Sequence, residues 1–491
     1  MDKGVSTSGQ RPSSVPSTSS LSFPLHTSLT VSPQESEHVR AAMLRKEEEW
    51  LERFPRHFRA DIEFLLNHPS GQNLKTHQCM GVAHTHTFQS ADHTRVTPHT
   101  LLAAEIALEM SQHLGLDPTD AKDLVAAAAG HDQGHIFASH QSEIAINTFP
   151  EFDGTPGRPA FCHELRTKQL FESDQFRRYF GDERITRIQG ILFDSNNPSY
   201  LLLDWADRLA YLLADSIHLG HQDIIDSCNI RRDFIKSLCV LPDGTVGFST
   251  LAPVLSLIGA RELLFGRVSN GRVSSLFSGF LTEAFHRAIT ATGKPITQFV
   301  NELCERPTPK ARQLFMEADI PRLYCPRQEP TLAKPVDLDY RGLCHVTVNM
   351  LSEKGRAWAI DLPPLIPAAT TPACRTPRAN MRRFEHVVRD AFRKHAGAGF
   401  LERSGVIIGV SHMPPKHYNL RTLNADGEIK ETPVQGKETW EFFIGFPYTE
   451  AGAHKSHHIA CEALIAEGLI RPECQAQLRT LPAADFFTTC H

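Results

Sequence analysis

Residues 130–143, GHDQGHIFASHQSE, contain three histidines and two acids and directly follow the apolar run LVAAAA. The adjacent pair His131 and Asp132 offers an imidazole and a carboxylate from neighbouring positions, a combination that suits a borderline or hard divalent metal ion. Two ligands do not make a site. The segment therefore predicts half of a metal centre, and the other donors must come from elsewhere in the chain.

A second segment, PSYLLLDWADRLAYLLADSIHLG, is the best source of those donors. At about 100° per residue, Asp204, Asp207, Tyr211 and Asp215 share one face of a helix whose other positions are mostly Leu and Ala. Such a helix is largely buried, so its acidic face must meet a metal, another cation or hydrogen-bond donors. His99, at the start of another apolar helix, is the most plausible fourth ligand.

Helices must position these residues. LDPTDAKDLVAAAAGHD begins as a helix should, with Asp117 as the N-cap and Pro118 at the first helical position, and it ends near His131. Apolar residues repeat at helical spacing through most of the chain up to about residue 325, as in HTLLAAEIALEMSQHLG. Beyond that point CHVTVNML, SGVIIGVS and TWEFFIGFP are typical of strands, with helical segments between or after them.

These patterns predict a mainly α protein with a helical catalytic core and a smaller C-terminal α+β domain. At 491 residues, two folded units plus a tail are expected. The predicted division is a disordered Ser/Thr/Pro-rich tail at 1–38, a helical domain at 39–325 and the α+β domain at 326–491.

Composition narrows the class of protein. The formal net charge of -5 gives no strong indication of nucleic-acid binding. The 11 cysteines include no CxxC pair, which is typical of reduced intracellular thiols. No 18-residue apolar stretch occurs, and the N-terminus lacks the apolar core of a signal peptide. We therefore expect a soluble cytoplasmic protein with no membrane partner.

Five segments between about residues 70 and 325 resemble the HD-domain metal-dependent phosphohydrolases. His99, His131, Asp132 and Asp207 are similar to that family's H…HD…D ligand set. The surrounding segments narrow the resemblance to the deoxynucleoside-triphosphate triphosphohydrolases, which include bacterial dGTPases and the vertebrate SAM-and-HD-domain dNTPase. The segments are LKTHQ ahead of HTRVTPH, HDQGHIFASHQSE, FCHELRT, DRLAYLLADSIHLG, and ARELLFGRVSNGRVSSLFSGFLTEAF.

The resemblance implies a role for each matched position. The four ligands would hold one divalent cation, such as Fe, Mn, Mg or Co. Water would attack the α-phosphorus of a nucleoside triphosphate, and a protonated His140 oriented by Glu143 would assist departure of the 5′-oxygen, with His135 facing the triphosphate. The products would be a nucleoside and inorganic triphosphate, and the protein would assemble as a homo-oligomer. The implied substrate-binding residues are Gln78, Arg95, His163, Arg208, Tyr211, Asp215 and Arg261.

Two other functions remain open. The first keeps the metal but changes the substrate, as in an HD phosphodiesterase or nucleotidase acting on monophosphates, cyclic nucleotides or oligonucleotides. Such an enzyme would not need His135, His140, Glu143 and Arg261 together. The second is a nucleotide sensor without turnover, which the complete ligand set argues against. Phe265 and Ser269, where the family has His and Tyr, depart from the family pattern and keep this alternative open.

Overall fold

The computed structural model describes most of the chain after residue 46, with gaps. The predicted tail and the predicted boundary at 325/326 lie outside the described residues. The described residues are 47–74, 96–136, 139–147, 149–152, 160–218, 230–264, 285–286, 289, 292–305, 340–360, 387–388, 390–391, 394, 407–413, 417–423, 426–435, 439–447, 453–480 and 484–485.

The protein is mainly α-helical, as the sequence predicts. The helices before residue 306 are α1 Glu47–Leu51, α2 Arg56–Asn67, α3 Pro69–Leu74, α4 Val96–Leu114, α5 Pro118–Gly130, α6 His140–Ile146, α7 His163–Phe171, α8 Asp174–Phe180, α9 Asp182–Phe193, α10 Pro198–His218, α11 Ile230–Ser237, α12 Ala252–Leu264 and α13 Ile296–Glu305. The later helices are α14 Glu353–Ile360, α15 Ala453–Ala466 and α16 Pro472–Thr480.

The core lies where α4, α5 and α10 pack on one another, with α2 and α9 against α5. Local sequence explains where α4 ends and where α5 begins. Gly115, with φ of 63°, ends α4, and the side chain of Asp117 accepts a hydrogen bond from the Thr119 N–H at 2.8 Å to cap α5. The cap of α5 follows the sequence prediction. No helix within the described residues is long and apolar enough to cross a membrane.

Two four-stranded sheets complete the described architecture. One has the order β1-β2-β5-β6, and the other has the order β4-β7-β3-β8. The strands are β1 Leu238–Val240, β2 Val246–Phe248, β3 Tyr340–Thr347, β4 Ile407–Met413, β5 His417–Leu423, β6 Ile429–Gln435, β7 Thr439–Pro447 and β8 Ala484–Asp485. The strands predicted from CHVTVNML, SGVIIGVS and TWEFFIGFP correspond to β3, β4 and β7.

The first sheet joins the two halves of the sequence. β1 and β2 form a hairpin around Pro-Asp-Gly, and Gly244 takes the positive φ of 80° that the turn requires. β5 then pairs in parallel with β2 at Phe248 and Thr422, and Arg421 donates a hydrogen bond to Asp243 at 2.5 Å. The helical spacing before residue 325 does not predict this hairpin, and a strand from the C-terminal part extends it.

Candidate functional site

Three helices bring the four predicted metal ligands together. His99 lies in the first turn of α4, His131 follows the last residue of α5 and Asp132 comes next, while Asp207 lies midway along α10. Because α4, α5 and α10 pack on one another, the separate sequence positions converge. His99 and Asp132 are buried in the protein interior.

The four side chains form a compact set of donors. Nε2 of His99 lies 3.1 Å from Oδ1 of Asp207 and 3.4 Å from Oδ2 of Asp132. Nε2 of His131 lies 3.4 Å from Oδ1 of Asp207 and 3.3 Å from Oδ1 of Asp132. Metal–ligand bonds of about 2.0–2.1 Å place neighbouring donors roughly 2.9–3.4 Å apart in tetrahedral or octahedral sites. The observed separations match that spacing.

Burial would lower the pKa of His131, but the carboxylates of Asp132 and Asp207 raise it, so this centre favours positive charge at the ring. Nδ1 of His131 lies 2.7 Å from the carbonyl oxygen of Ala128. A carbonyl only accepts, so Nδ1 carries the hydrogen and the lone pair of the neutral ring is on Nε2. Nε2 is buried, and none of the described residues forms a hydrogen bond with it, although two carboxylates face it. Either a proton on Nε2, which the raised pKa of His131 favours, or a bound divalent metal ion resolves this contact between electron-rich atoms.

The electrostatics of the centre also favour positive charge. Burial alone would lower the pKa of His99, but its hydrogen bonds with Asp132 and Asp207 raise that pKa to about 10. Burial would raise the pKa of Asp207, but His131 and His99 hold it below its ordinary value. Burial would raise the pKa of Asp132 too, but His131 and His135 hold it below its ordinary value. Both carboxylates are therefore ionised at neutral pH, as metal ligands must be.

A second group of side chains lies directly beside the centre. We call His135, His140, Glu143 and His163 the histidine cluster; one ligand atom from each lies within 4.8 Å of those of the others. Nδ1 of His163 lies 2.7 Å from Oε1 of Glu143, and Nδ1 of His140 lies 3.4 Å from Oε2 of the same carboxylate. His135 stacks on His163 with ring centroids 3.9 Å apart.

The histidines of this cluster differ in protonation. Burial and the neighbouring His163 lower the pKa of His135 to about 4. Burial would also lower the pKa of His163, but the carboxylates of Glu164 and Glu143 raise it to about 10. Burial opposes charge on His140 as well, and its hydrogen bond with Glu143 raises its pKa above the ordinary value. The cluster therefore combines a neutral imidazole with imidazoles that readily hold a proton.

Helix α7 holds the loop that carries these groups. Thr167 Oγ1 accepts a hydrogen bond from the Gly134 N–H at 2.9 Å and donates one to the carbonyl of His131 at 3.0 Å. Arg166 donates to the carbonyl of Gly134 at 2.9 Å and to that of Cys304 at 2.8 Å. Sequence reasoning missed both residues. The signal was available in FCHELRT, where they lie three and four positions after His163 and so on the same helical face.

Gly134 lets α7 approach the loop closely. A Cβ at this position would lie 1.9 Å from the carbonyl oxygen of His163 and 2.8 Å from the Thr167 nitrogen, both backbone atoms. We expect Gly134→Ala to push α7 away from the loop and lower the free energy of unfolding by at least about 1–3 kcal/mol, the usual cost of overpacking. Denaturant unfolding measures this change.

The matched control for that prediction is Gly259→Ala. Gly259 lies within α12, and an added Cβ there would have no neighbour within 4 Å. This variant should be neutral or more stable by up to about 1 kcal/mol, because Ala is the better helix former. Equal unfolding free energies for the two variants would contradict the close approach of α7.

The predicted substrate-binding residues on α10 and α12 lie in two groups. Arg208 donates to Asp204 at 2.8 Å and to the Tyr418 hydroxyl at 2.6 Å, so its guanidinium already has partners. Arg261 donates to the Tyr211 hydroxyl at 3.0 Å. Burial raises the pKa of Tyr211 to about 12, so its phenol is neutral.

Asp215 lies two turns after Asp207 on α10. Burial raises its pKa to about 7, with Asp207 adding to the effect and His99 opposing it. Oδ1 of Asp215 has no hydrogen-bond partner among the described residues. This carboxyl can therefore accept or donate a hydrogen bond to a ligand. Gln78, Arg95, Phe265 and Ser269 lie outside the described residues.

Comparisons with known proteins inform the fold only. The chain matches no protein-family model and no curated protein. Among solved structures, it is similar to a hypothetical protein from Aquifex aeolicus, with a TM-score of 0.50 and 14% identity over 86% of this chain and 95% of that one. It is also similar to a phosphohydrolase from Bacteroides thetaiotaomicron, with a TM-score of 0.49 and 16% identity over 80% of this chain and 96% of that one. At such identities, the first of these likenesses shows a shared fold.

Proposed function

We propose that this chain is a metal-dependent phosphohydrolase that converts nucleoside triphosphates to nucleosides and inorganic triphosphate. One observation carries the proposal: two histidines and two carboxylates from three helices converge at metal-ligand spacing, directly beside the histidine cluster. The resemblance of the same residues to the H…HD…D set of HD-domain triphosphohydrolases supports the choice of substrate.

The metal would be held by His99, His131, Asp132 and Asp207. A bound divalent cation polarises a phosphoryl oxygen and lowers the pKa of a coordinated water. The donor set of two imidazoles and two carboxylates suits Fe, Mn or Co, and also Mg. The carboxylates of Asp132 and Asp207 counter the positive charge of the centre.

The histidine cluster would handle the triphosphate and the leaving group. Glu143 is 1% exposed and accepts from Nδ1 of His140, which orients that ring and leaves Nε2 to carry the transferable proton. A protonated His140 can donate that proton to the departing 5′-oxygen. His163, held protonated by two carboxylates, adds positive charge for phosphate oxygens, and neutral His135 does not add to the charge of the stack.

The sugar would lie toward the C-terminal end of α10. Tyr211 lies four positions after Asp207 and Asp215 eight positions after it, so the three share one helical face. The neutral phenol of Tyr211, fixed by Arg261, offers a flat wall for the ribose ring. The carboxyl of Asp215 offers a hydrogen-bond partner for a sugar hydroxyl. These positions support a nucleotide whose phosphates point toward the metal centre.

Product identity tests the proposal. The purified chain is incubated with Mn²⁺ and each deoxy- and ribonucleoside triphosphate, in isotopically labelled water. Chromatography should show nucleoside and intact triphosphate, with the label in the triphosphate because water attacks phosphorus. Monophosphate or free phosphate would contradict the proposal and favour another phosphohydrolase. Binding without any product would favour a nucleotide sensor.

A further inference from the structure

We propose that the histidine cluster is a second metal site, distinct from the first centre and suited to Zn²⁺. It offers three imidazoles and one carboxylate, a donor set typical of zinc and of other first-row metals with a preference for nitrogen. The first centre, with two carboxylates among four donors, is harder in character. The two sites therefore differ in the metal ions that they favour.

The geometry of the cluster supports a single bound ion. The carboxylate of Glu143 lies at its middle, with Nδ1 of His163 at 2.7 Å, Nδ1 of His140 at 3.4 Å and Nδ1 of His135 at 3.7 Å. Four donors around a tetrahedral Zn²⁺ are about 3.3 Å apart, because each metal–ligand bond is about 2.0–2.1 Å long. Side-chain shifts of less than about 1 Å bring these three separations to that value. The metal would replace the protons that His140 and His163 now share with Glu143.

The surroundings hold the proposed ligands in place. Nε2 of His135 lies 3.3 Å from Oδ1 of Asp132, so its hydrogen points to a carboxylate while Nδ1 faces the cluster. This carboxylate–histidine arrangement typically orients a metal-bound imidazole. The backbone N–H of His163 also donates to Oε1 of Glu143 at 3.1 Å. Asp132 thereby links the two sites.

The cluster is buried on one side and exposed on the other. His135, Glu143 and His163 are buried, whereas the His140 side chain is 51% exposed and offers a route from solvent. Ser139, directly before His140, has φ of 52° and ψ of −135°. Non-glycine residues rarely adopt this conformation, and it is typical of positions where the fold fixes a functional side chain.

Occupancy of this site would inhibit the enzyme. A metal on Nδ1 of His140 and on Glu143 would separate the acid from the carboxylate that orients it, and it would occupy the space offered to phosphate oxygens. This consequence rests on the proposed function, whereas the binding of Zn²⁺ does not. Zinc would therefore compete with the nucleotide while the first centre keeps its metal.

Zinc stoichiometry tests the proposal without any assay of turnover. The metal-stripped full-length chain is titrated with Zn²⁺, desalted and analysed for bound zinc, in the wild type and in three single variants. We expect two zinc ions per wild-type chain after desalting and one in His140→Ala, because this variant binds the second ion at least tenfold more weakly. His140 is half-exposed, so this variant should fold. His57→Ala removes an exposed histidine that is distant from the cluster in the sequence, and it should keep two zinc ions.

The third variant, Asp207→Ala, separates this inference from the proposed function. It should lose the zinc of the first centre and keep that of the cluster. A wild-type chain that binds one zinc, lost in Asp207→Ala and kept in His140→Ala, would overturn the second site and leave the first centre intact. One zinc that is kept in Asp207→Ala and lost in His140→Ala would support the cluster and overturn the first centre. Two ions in His140→Ala, bound as tightly as in the wild type, would also overturn the second site.

Discussion

Asp207→Ala is expected to leave the protein folded but without manganese and without turnover. Oδ1 of Asp207 lies 3.1 Å from Nε2 of His99 and 3.4 Å from Nε2 of His131, so it is the oxygen that both imidazoles share. Loss of an outer partner of a metal ligand costs about 10–100-fold in affinity. Loss of a ligand itself should cost at least about a hundredfold. Elemental analysis after loading with Mn²⁺ measures the loss of manganese, and product formation measures the loss of turnover.

Mn²⁺ is the suitable metal for this test because it prefers carboxylate ligands over an imidazole-rich cluster. Asp204→Ala is the matched control, since Asp204 lies on the same helix, one turn earlier, and pairs with Arg208 rather than with the histidines. The control should retain its manganese. A stoichiometric manganese content in Asp207→Ala would contradict the assignment of the metal centre.

His140→Ala should differ from Asp207→Ala in metal content. We expect it to retain the metal and to have a kcat reduced by at least about a hundredfold. A positioned general acid typically contributes about 10²–10⁴-fold to the rate. His140 contacts Glu143 and not the four metal ligands named above, and its side chain is half-exposed, so removing it should leave both the manganese content and the stability near the wild-type values. Steady-state kinetics with a nucleoside triphosphate, beside manganese analysis, measures both parts of the prediction.

His57→Ala serves as the control for a histidine lost from the surface and should keep full kcat. A His140→Ala enzyme with nearly normal kcat would move the acid to another residue, with His163 the first candidate because it contacts the same carboxylate. A loss of manganese in His140→Ala would show instead that the cluster and the metal centre are one unit.

Candidate metal ligands could be proposed from the sequence because part of the necessary information is local. His131 and Asp132 are adjacent at the end of a well-capped helix, and Asp207, Tyr211 and Asp215 have helical spacing. Their roles remain predictions. The spacing of Arg166 and Thr167 after His163 could be read from FCHELRT, but their hydrogen-bond partners could not, since these carbonyls lie more than thirty residues earlier in the chain. Such contacts depend on how α7 packs against the loop that follows α5, and a single sequence does not specify that packing.

In the sheets, too, single strands could be predicted from the sequence but long-range pairing could not. The long apolar strands β3, β4 and β7 could be predicted, because β-branched and aromatic runs bounded by turn residues identify them. The β5–β6 hairpin also had a readable signal, the Asp426–Gly427 pair, with Gly427 at φ of 78°. The parallel pairing of β5 with β2 had none. It depends on one residue pair, Phe248 and Thr422, and on side chains from distant parts of the chain.

That pairing has a consequence for synthesis of the protein on the ribosome. Phe248 and Thr422 are 174 residues apart (422 minus 248), so the helical half emerges long before its partner strand exists. Until then β2 is paired only with β1 and its other edge is open, and Trp205 lacks the ring of Tyr418 that stacks on it at 5.7 Å. Unpaired edges are prone to association with other chains, and contacts so distant in sequence form slowly. We therefore expect the nascent chain to be prone to aggregation between the translation of β2 and that of β5.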